Sequence, residues 1–379
     1  MIYLDYSATT KPNEEVIKSY VKASNEFIGN PNSLHKLGVN SNNLINAATK
    51  QIADTFKINS EEIIYTSGAS ESNNLALKGV IDAYSKKNAH IITTNFEHSS
   101  IYGPLNYLST KNVNVDIVDT DQFGKVDIES LKKLINNDTL LVTIGAVNSE
   151  IGIIQDVENI SKIIKEINPK TLLHVDYTQA IGKMEVNFKN VDLASLSAHK
   201  FFGLKGIGIL YKNKSIRLEP LIHGGKSTTI FRSGTPALPL IVSTAKALRL
   251  ATNNIFSNYK LVENYNHYLR EELSKIKGVH INSPIDALPF ILNISIPGIK
   301  PETMLHALEE YEIYISTQTA CAGSSLLSSS VLALTNNEEY AKSSIRISIS
   351  YITTKEELIQ FIKVFEKCVK ELTFKWKIL

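Results

Sequence analysis

The chain of 379 residues is long enough for one large domain and a smaller one, each with its own core. Its 40 lysines and arginines against 38 aspartates and glutamates leave a net charge of +2, which argues against a protein that mainly coats nucleic acid or an anionic membrane. No apolar run reaches the roughly 18 residues of a membrane span, and the first residues lack the pattern of a secretory signal. We therefore expect a cytoplasmic protein that binds neither nucleic acid nor membrane directly.

The chain has two cysteines, Cys321 and Cys368, too few for a disulfide framework or a four-thiolate zinc site. The histidines show no metal-binding spacing, so we predict no metal ion. A lone cysteine in a reducing compartment either packs in a core or acts as a reactive thiol. Cys368 falls among apolar residues of a C-terminal helical pattern, for which packing is the better interpretation.

Apolar, β-branched runs alternate with segments of helical period through the first half of the chain. The predicted strands are Glu62–Thr66, His90–Thr94, Val113–Val118, Leu140–Ile144, Leu172–Val175 and Ala194–Leu196. The predicted helices between them are Asn73–Ser85, Ile128–Ile135 and Val157–Ile167. This alternation predicts an α/β fold, an open and mostly parallel sheet of buried strands with helices on both faces. Ligands of such sheets bind beyond the carboxyl ends of the strands.

Two long helices and then a mixed set of elements follow. The predicted helices are Pro239–Ala251, Ile255–Ile276, Glu302–Glu309 and Lys355–Leu372, and the predicted strands are Val279–Ile281, Phe290–Ile296, Ile313–Ser316 and Ile345–Ser350. This pattern predicts a smaller α+β domain after about residue 255. The small and polar segment Ala322–Ser330, directly after Cys321, predicts a mobile loop.

Three predicted strands end at residues that suit one kind of ligand. Residues 66–73, Thr-Ser-Gly-Ala-Ser-Glu-Ser-Asn, turn from a strand into a helix and form either a phosphate cradle or an ordinary helix start with Ser70 as N-cap. Asp176 could pair with a protonated ring nitrogen or merely cap the following turn. Lys200 could form a Schiff base, although most lysines are solvated surface charges. A phosphate cradle, an acid and a lysine in this order match the needs of pyridoxal phosphate (PLP).

Short motifs over nearly the whole chain, about residues 2 to 366, resemble those of the class V aminotransferase family, and within it the NifS/IscS cysteine desulfurases. They are Tyr3–Thr10, Gly29–Ser33, Thr66–Ala69, Glu97-His98, Val147–Gly152, His174–Asp176, Ser197–Lys200, Arg232–Thr235, Thr319–Cys321 and Ser344–Ser348. The resemblance implies a fold-type I PLP-dependent transferase. Residues 12–255 would form the large PLP-binding domain, and residues 1–11 and 256–379 the small domain that carries Cys321.

The resemblance also implies a role for each matching residue around the cofactor. Lys200 would hold PLP as a Schiff base and remove the substrate Cα proton, and Asp176 would pair with the pyridinium nitrogen. Gln179 would bond the phenolic oxygen, and His98 would lie over the ring and move protons to and from the substrate sulfur. The ligands of the phosphate would be Ala69, Ser70, Ser197 and His199. Thr235 would reach the phosphate of the partner subunit, which implies a homodimer.

The substrate residues implied by the resemblance are Asn148, which also belongs to the cofactor ligands, and Arg346. Both would hold the substrate carboxylate, Arg346 through a two-pronged ion pair. Cys321 would decide the activity, because desulfuration needs a thiolate to accept sulfur. L-Cysteine would become L-alanine, with a persulfide formed on Cys321. The sulfur would then pass to an acceptor protein, an iron–sulfur scaffold or a tRNA-thiolation sulfurtransferase.

Two alternatives stay open at this point. A selenocysteine lyase, or another class V reaction on PLP, needs less from the thiol of Cys321. A non-catalytic partner in sulfur transfer needs neither the thiol nor the lysine, and the intact Lys200, Asp176, Cys321 and Arg346 argue against it. The chain departs from the family's usual pattern at residues 226–231 and at Ser350-Tyr351. These departures affect dimer contacts and substrate affinity rather than a primary catalytic group.

Overall fold

The computed structural model describes residues 1–84, 88–317 and 327–376. Its strands are β1 (Ile2–Tyr3), β2 (Ile63–Thr66), β3 (His90–Thr93), β4 (Asn114–Ile117), β5 (Thr139–Gly145), β6 (Leu172–Asp176), β7 (Leu193–Ser197), β8 (Gly208–Lys212), β9 (His280–Ile281), β10 (Ile291–Ser295), β11 (Ile313–Tyr314) and β12 (Ser344–Ser348). Its α-helices are α1 (Glu14–Glu26), α2 (Lys36–Phe56), α3 (Ala69–Tyr84), α4 (Ser99–Ser109), α5 (Ile128–Leu134), α6 (Val157–Ile167), α7 (Leu238–Asn253), α8 (Ile255–Ser274), α9 (Pro301–Glu309), α10 (Ser329–Thr335), α11 (Glu338–Lys342) and α12 (Lys355–Trp376). None of the helices in the described ranges is long and apolar enough to cross a membrane.

Seven strands form the central sheet in the order β2-β8-β7-β6-β5-β3-β4. β8 runs antiparallel to its neighbours β2 and β7, and the other pairs are parallel, which confirms the predicted α/β fold with a mostly parallel sheet. β4 is the exception to the predicted burial, since its residues are mostly exposed. The prediction of a buried strand was wrong there because β4 lies at the edge of the sheet, where one side has no neighbouring strand.

Local sequence explains where the helices beside the sheet begin. In α6, Ile160 and Ile164 face the core four residues apart, and the Asp156 side chain caps the first turn by accepting from the Asn159 N–H at 3.1 Å. α3 begins four residues earlier than predicted, at Ala69. Ser70 therefore lies inside the helix, and its interpretation as an N-cap was wrong.

The remaining strands join the two ends of the chain. β9, β10 and β12 form an antiparallel sheet in which β10 is central, and β1 pairs in parallel with β11. The central sheet lies wholly within residues 63–212. On this arrangement we propose the division made from the sequence, with a large domain at 12–255 and a small domain at 1–11 and 256–379.

The predicted loop after Cys321 is shorter than the sequence pattern indicates. Ser329 and Ser330 belong to α10, and the Ser328 side chain caps that helix by accepting from the Val331 N–H at 3.0 Å. Serines favour helix starts as well as loops, so composition alone did not separate the two. Residues 318–326, with Cys321, lie outside the described residues.

Candidate active site

A cavity of about 460 Å³ lies beyond the carboxyl ends of the central strands. Strands β2, β5, β6 and β7 each end at or directly before a residue that lines it. The cavity therefore occupies the position that the predicted sheet gives to a ligand. The predicted site residues that line it are Ala69, Ser70, His98, Asp176, Gln179, Ser197, His199, Lys200 and Arg346.

The Asp176 carboxylate, at the end of β6, is held by two N–H donors. Its Oδ1 accepts from the backbone N–H of Thr178 at 2.9 Å, and its Oδ2 accepts from Asn73 Nδ2 at 2.8 Å. Asn73 belongs to α3 and is completely buried. Because N–H donors favour an ionised carboxylate, Asp176 is suited to face a cationic ring nitrogen.

His98 caps the first turn of α4 and faces the cavity. Its Nδ1 accepts from the backbone N–H of Ser100 at 3.1 Å and lies 2.8 Å from Ser100 Oγ. Burial lowers the pKa of His98, while the charge of Asp176 opposes this shift and Lys200 reinforces it. The imidazole is therefore neutral near pH 7 and able to exchange a proton with a ligand.

The Lys200 amine is oriented by the N-terminal segment, residues 5–8. Its Nζ donates to the Ser7 carbonyl at 2.6 Å and to the Ala8 carbonyl at 2.8 Å. Gln179 Nε2 also donates to the Ser7 carbonyl, at 2.9 Å. The start of the chain thus positions two of the predicted cofactor ligands, although both lie more than 170 residues away in sequence.

Lys183 is a buried residue that the sequence did not mark. Its Nζ donates to Gln179 Oε1 at 2.9 Å and to the Gln179 carbonyl at 3.1 Å. The Gln179 side chain consequently turns its oxygen to Lys183 and its NH₂ group to Ser7. Burial, together with the charges of Lys200 and Arg346, lowers the pKa of Lys183 to about 7.

The residues that the sequence analysis assigned to the phosphate of PLP lie where α3 begins and where β7 ends. Ala69 and Ser70 belong to the first turn of α3, whose N–H groups have no partner within the helix. A Cβ at Gly68 would lie in ordinary van der Waals contact with Ser197 Oγ, at 3.7 Å, so the start of α3 and the end of β7 lie close together. Burial and the Lys200 charge lower the pKa of His199 to about 4 and keep that ligand neutral.

An ion pair holds the segment that begins at Arg232 beside these residues. Glu71 in α3 accepts from the Ser67 N–H at 2.7 Å and from Arg232 Nε at 3.0 Å. Arg232 begins the Arg-Ser-Gly-Thr motif, so the pair holds that motif close to α3. Thr235 itself is exposed and does not line the cavity of its own subunit.

Arg346, on β12, is 3% exposed at the side chain and is partly neutralised by the N-terminal segment. Its Nη2 donates to Asp5 Oδ1 at 2.8 Å and its Nη1 to the Ser149 carbonyl at 3.0 Å. Its buried Nε has no hydrogen-bond partner among the described residues. The guanidinium is thus fixed in orientation and retains donor capacity, as a carboxylate-binding residue requires.

Asn148, another predicted site residue, does not line the cavity. Asn148 is buried, donates from Nδ2 to the Phe96 carbonyl at 2.9 Å, and accepts at Oδ1 from the N–H groups of Glu150 and Ile151 at 2.9 and 2.7 Å. Its role as a ligand of cofactor and substrate stays a prediction. Cys321 lies outside the described residues, and its role stays a prediction as well.

Glu97 is a cavity residue to which the sequence analysis gave no role. Its Oε1 accepts from Thr94 Oγ1 at 2.7 Å and from the Gly145 N–H at 3.0 Å, whereas its Oε2 is buried without a partner in the described parts of the chain. Burial, reinforced by the charge of Asp176, raises the pKa of Glu97 to about 7. The one signal in the sequence was its place beside His98.

These residues fit PLP. The cavity has the size of a small-molecule site, and it combines an oriented lysine, a carboxylate held by two N–H donors and a helix N-terminus with two serine hydroxyls. The N–H groups of the first turn of α3 form the kind of cradle that binds a phosphate. The described residues contain no cluster of side chains that could hold a metal ion.

Comparison with known proteins gives concordant matches over nearly the whole chain. Residues 2–361 match the aminotransferase class-V family. The chain is 40% identical over 377 residues to a NifS/IcsS protein homolog of Lactobacillus delbrueckii subsp. bulgaricus, covering 97% of both chains. It is also 40% identical over 381 residues to cysteine desulfurase IscS of Buchnera aphidicola subsp. Baizongia pistaciae, covering 98% of this chain and 93% of the relative. A solved NifS-like protein superimposes with a TM-score of 0.92 at 37% identity, covering 97% of this chain and 99% of the other.

Proposed function

Because this chain belongs to the class-V aminotransferase family, we propose that its cavity binds PLP and converts L-cysteine to L-alanine, with the sulfur taken up by Cys321. Relatives across nearly the full length confirm the predicted resemblance to NifS/IscS proteins, the fold-type I architecture and the enzyme class, cysteine desulfurase. The family is PLP-dependent. The residues that hold the cofactor and the substrate in this chain are part of the proposal.

One observation carries the assignment of the cofactor. Lys200, Asp176 and the first turn of α3 come from separate strand ends, yet all line the same cavity. They supply an amine for the aldehyde, a carboxylate for the ring nitrogen and N–H donors for the phosphate. His98 and Gln179, which we propose lie beside the ring, line the same cavity.

Bound PLP would act as an electron sink for the substrate Cα, and the chain's own residues would do the rest. Arg346 would bind the substrate carboxylate through N–H groups fixed by Asp5 and Ser149. Lys200 would take the Cα proton on the Nζ atom that Ser7 and Ala8 orient. His98 would hold or release a proton near the sulfur.

The described residues that flank Cys321 support its proposed role. Before it, Ser316 exchanges two backbone hydrogen bonds with Arg346, at 2.7 and 3.1 Å. After it, Ser328 donates to the buried Glu150, and Ser330 Oγ accepts from Asn148 Nδ2 at 3.3 Å. The described residues before and after segment 318–326 are thus fastened to residues at or next to the cavity. A thiolate there would accept the sulfur of cysteine as a persulfide, with alanine as the other product.

The setting of the reaction is also part of the proposal. Thr235 is exposed, as contact with a phosphate in the partner subunit of a homodimer requires, and Arg232 holds its motif near α3. The sulfur would pass to an acceptor protein in the cytoplasm, an iron–sulfur scaffold or a tRNA-thiolation sulfurtransferase.

The test is to supply the purified protein with PLP, L-cysteine and a reductant, and to quantify sulfide and alanine together. We expect equal amounts of both from the wild type and neither from Cys321→Ser. Cys368→Ala is the matched control, because Cys368 is 2% exposed in α12 and packs in the core. It should retain both products.

Three outcomes would contradict parts of the proposal. A protein that acquires no visible absorption after addition of PLP would contradict the cofactor site. Absorption without either product would contradict the substrate. Selenide release from selenocysteine that survives Cys321→Ser, without sulfide from cysteine, would indicate a lyase instead.

A further inference from the structure

The side chains of His98, Ser100, Asn73 and Asp176 form one continuous hydrogen-bonded row. Ser100 Oγ lies 2.8 Å from His98 Nδ1, and Asn73 Nδ2 lies 2.8 Å from both Ser100 Oγ and Asp176 Oδ2. We propose that Ser100 and Asn73, the Ser100–Asn73 bridge, are positioning residues that fix the proton of neutral His98 on Nε2 and couple this imidazole to the Asp176 carboxylate. The inference rests on the proposed PLP site, which both His98 and Asp176 would face.

The direction of each hydrogen bond in the row follows from donor and acceptor chemistry. The Asn73 NH₂ group has two hydrogens, which go to Ser100 Oγ and Asp176 Oδ2. Ser100 Oγ accepts from Asn73, so its single hydrogen is available for His98 Nδ1. The Ser100 backbone N–H can only donate, and it too points at Nδ1, at 3.1 Å. Nδ1 is therefore an acceptor, and the proton of the neutral ring lies on Nε2.

The orientation of the Asn73 amide is fixed by the carboxylate it contacts. A flipped amide would place its oxygen against Asp176 Oδ2, and two acceptors would then face each other in a buried site. In the observed orientation Asn73 Oδ1 is buried without a hydrogen-bond partner among the described residues. An unsatisfied buried acceptor is costly. The charge-assisted bond to Asp176 offsets that cost and holds the amide in place.

The bridge is built on rigid elements. Asn73 lies in α3 with no exposed surface, Ser100 lies in α4, and the two helices pack together. Asp176 ends a central strand of the sheet. A row that joins two helices to one strand can hold side-chain orientations within narrow limits, which proton transfer in the cavity needs.

The charged groups that face His98 are Asp176 after β6, Lys200 after β7 and Arg346 on β12. Because the bridge occupies Nδ1, the neutral His98 ring offers a ligand a hydrogen-bond donor at Nε2. Protonation of the ring requires Nδ1 to release its two hydrogen bonds, so the bridge disfavours the imidazolium. Loss of the Ser100 hydroxyl should therefore make His98 easier to protonate.

The experiment uses the full chain loaded with PLP, in the wild type and in Ser100→Ala. We expect Ser100→Ala to lower kcat for L-cysteine about 10-fold with KM changed less than about two-fold, and to move the acid limb of the kcat profile upward by about half a pH unit. Ser100→Thr keeps a hydroxyl and should restore both. Ser99→Ala, a change at the neighbouring exposed serine of α4, should behave as wild type.

A second readout does not depend on turnover. Asn73→Ala removes a donor from Asp176, and we expect it to shift by at least about half a unit the pH at which the visible band of bound PLP changes. In the double variant that combines Ser100→Ala with Asn73→Ala, the losses in kcat should not add, because both changes break the same row of hydrogen bonds. Thermal unfolding of each variant checks that it is folded. If Asn73→Ala does not fold, Ser100→Ala still tests the same row of hydrogen bonds.

The outcomes separate this inference from the proposed function. A wild type that fails to bind PLP or to release alanine overturns the function. An active wild type whose Ser100→Ala variant keeps its kcat and pH profile overturns only the bridge, as do fully additive losses or an unshifted PLP band in a folded Asn73→Ala.

Discussion

The cavity has two sides, a sheet side formed at the ends of the central strands and an N-terminal side formed by residues 5–8 with Arg346. The two sides carry groups of opposite charge and are held by different contacts. The sheet side holds the carboxyl groups of Glu97 and Asp176, and the N-terminal side holds Arg346, with the buried Lys183 behind Gln179. Lys200 follows β7 and reaches across to the carbonyls of Ser7 and Ala8. On the sheet side, Asp176 bonds a residue 103 positions away, within the large sheet and its helices. On the N-terminal side, Arg346 bonds a residue 341 positions away.

This difference teaches that pH acts in opposite directions on the two sides. Burial lowers the pKa of Lys183 and raises that of Glu97, so each is disfavoured in its charged form. Rising pH stabilises the folded state on the N-terminal side, because the buried Lys183 loses its charge. It destabilises the folded state on the sheet side, because the buried Glu97 gains a charge.

Removal of the Arg346 side chain should have the largest effect, because it breaks the link between the chain's two ends. Arg346→Ala leaves the Asp5 carboxylate, 20% exposed, without its cation. We expect the free energy of unfolding to fall by about 3 kcal/mol, measured by urea denaturation. We also expect kcat/KM for L-cysteine to fall at least about 100-fold.

Arg346→Lys separates the two roles of the guanidinium. A lysine keeps a cation for Asp5 and should recover most of the stability, but it cannot make a two-pronged contact with the substrate carboxylate. The kcat/KM of Arg346→Lys for L-cysteine should stay at least about 10-fold below that of the wild type. If Arg346→Ala is as stable as the wild type, the N-terminal side is not fastened by this pair.

Lys183→Met should change how stability depends on pH above neutrality. Lys183 keeps its proton in the unfolded chain up to the ordinary pKa of 10.5 but loses it at about 7 when folded. The unfolding free energy of the wild type should therefore rise by about 3 kcal/mol between pH 7 and pH 9.5 relative to the variant. Exposed Lys189→Met is the control and should follow the wild-type curve. Parallel curves for Lys183→Met would contradict the lowered pKa.

Glu97→Gln should give an effect on stability of similar size, with the opposite sign. The folded pKa of Glu97, about 7, exceeds its ordinary value of 4.5, so the wild type should lose stability as pH rises through this window. Glutamine stays neutral and keeps an oxygen for Thr94 and Gly145. Relative to the wild type, the variant should be more stable by about 3 kcal/mol at pH 8 and nearly equal at pH 4.5. A constant difference across this range would show that Glu97 does not titrate there.

Sequence reasoning captured the sheet side better than the N-terminal side. Alternating buried strands and helices specified the α/β sheet, and Asp176 and Lys200 stood out because strand ends can be located from local pattern. The turn from β2 into α3 was recognisable for the same reason, although the helix begins four residues before the predicted Asn73. The sequence analysis did not predict helices α1, α2 and α4, whose buried residues include the small Ala23 and Ala48 and the proline Pro104.

The rest depended on contacts between distant residues. No local pattern indicates that the Ser7 and Ala8 carbonyls accept from Lys200, or that Lys183 turns the amide of Gln179. The place of Asn148 behind the cavity wall is likewise set by its bonds to Phe96 and to the following turn. Such partners follow from register and packing, which a single sequence does not specify.

The pairing of β1 with β11 also has a consequence for the order of events during synthesis. The ribosome makes residues 2–8 first, but their partners Ile313, Arg346 and Ser348 emerge after most of the chain. Contacts across such sequence distances form slowly, and the N-terminal segment must wait while the central sheet assembles. The pocket is consequently completed last, so in the proposed function capture of the cofactor by Lys200 would report that the chain has folded through residue 348.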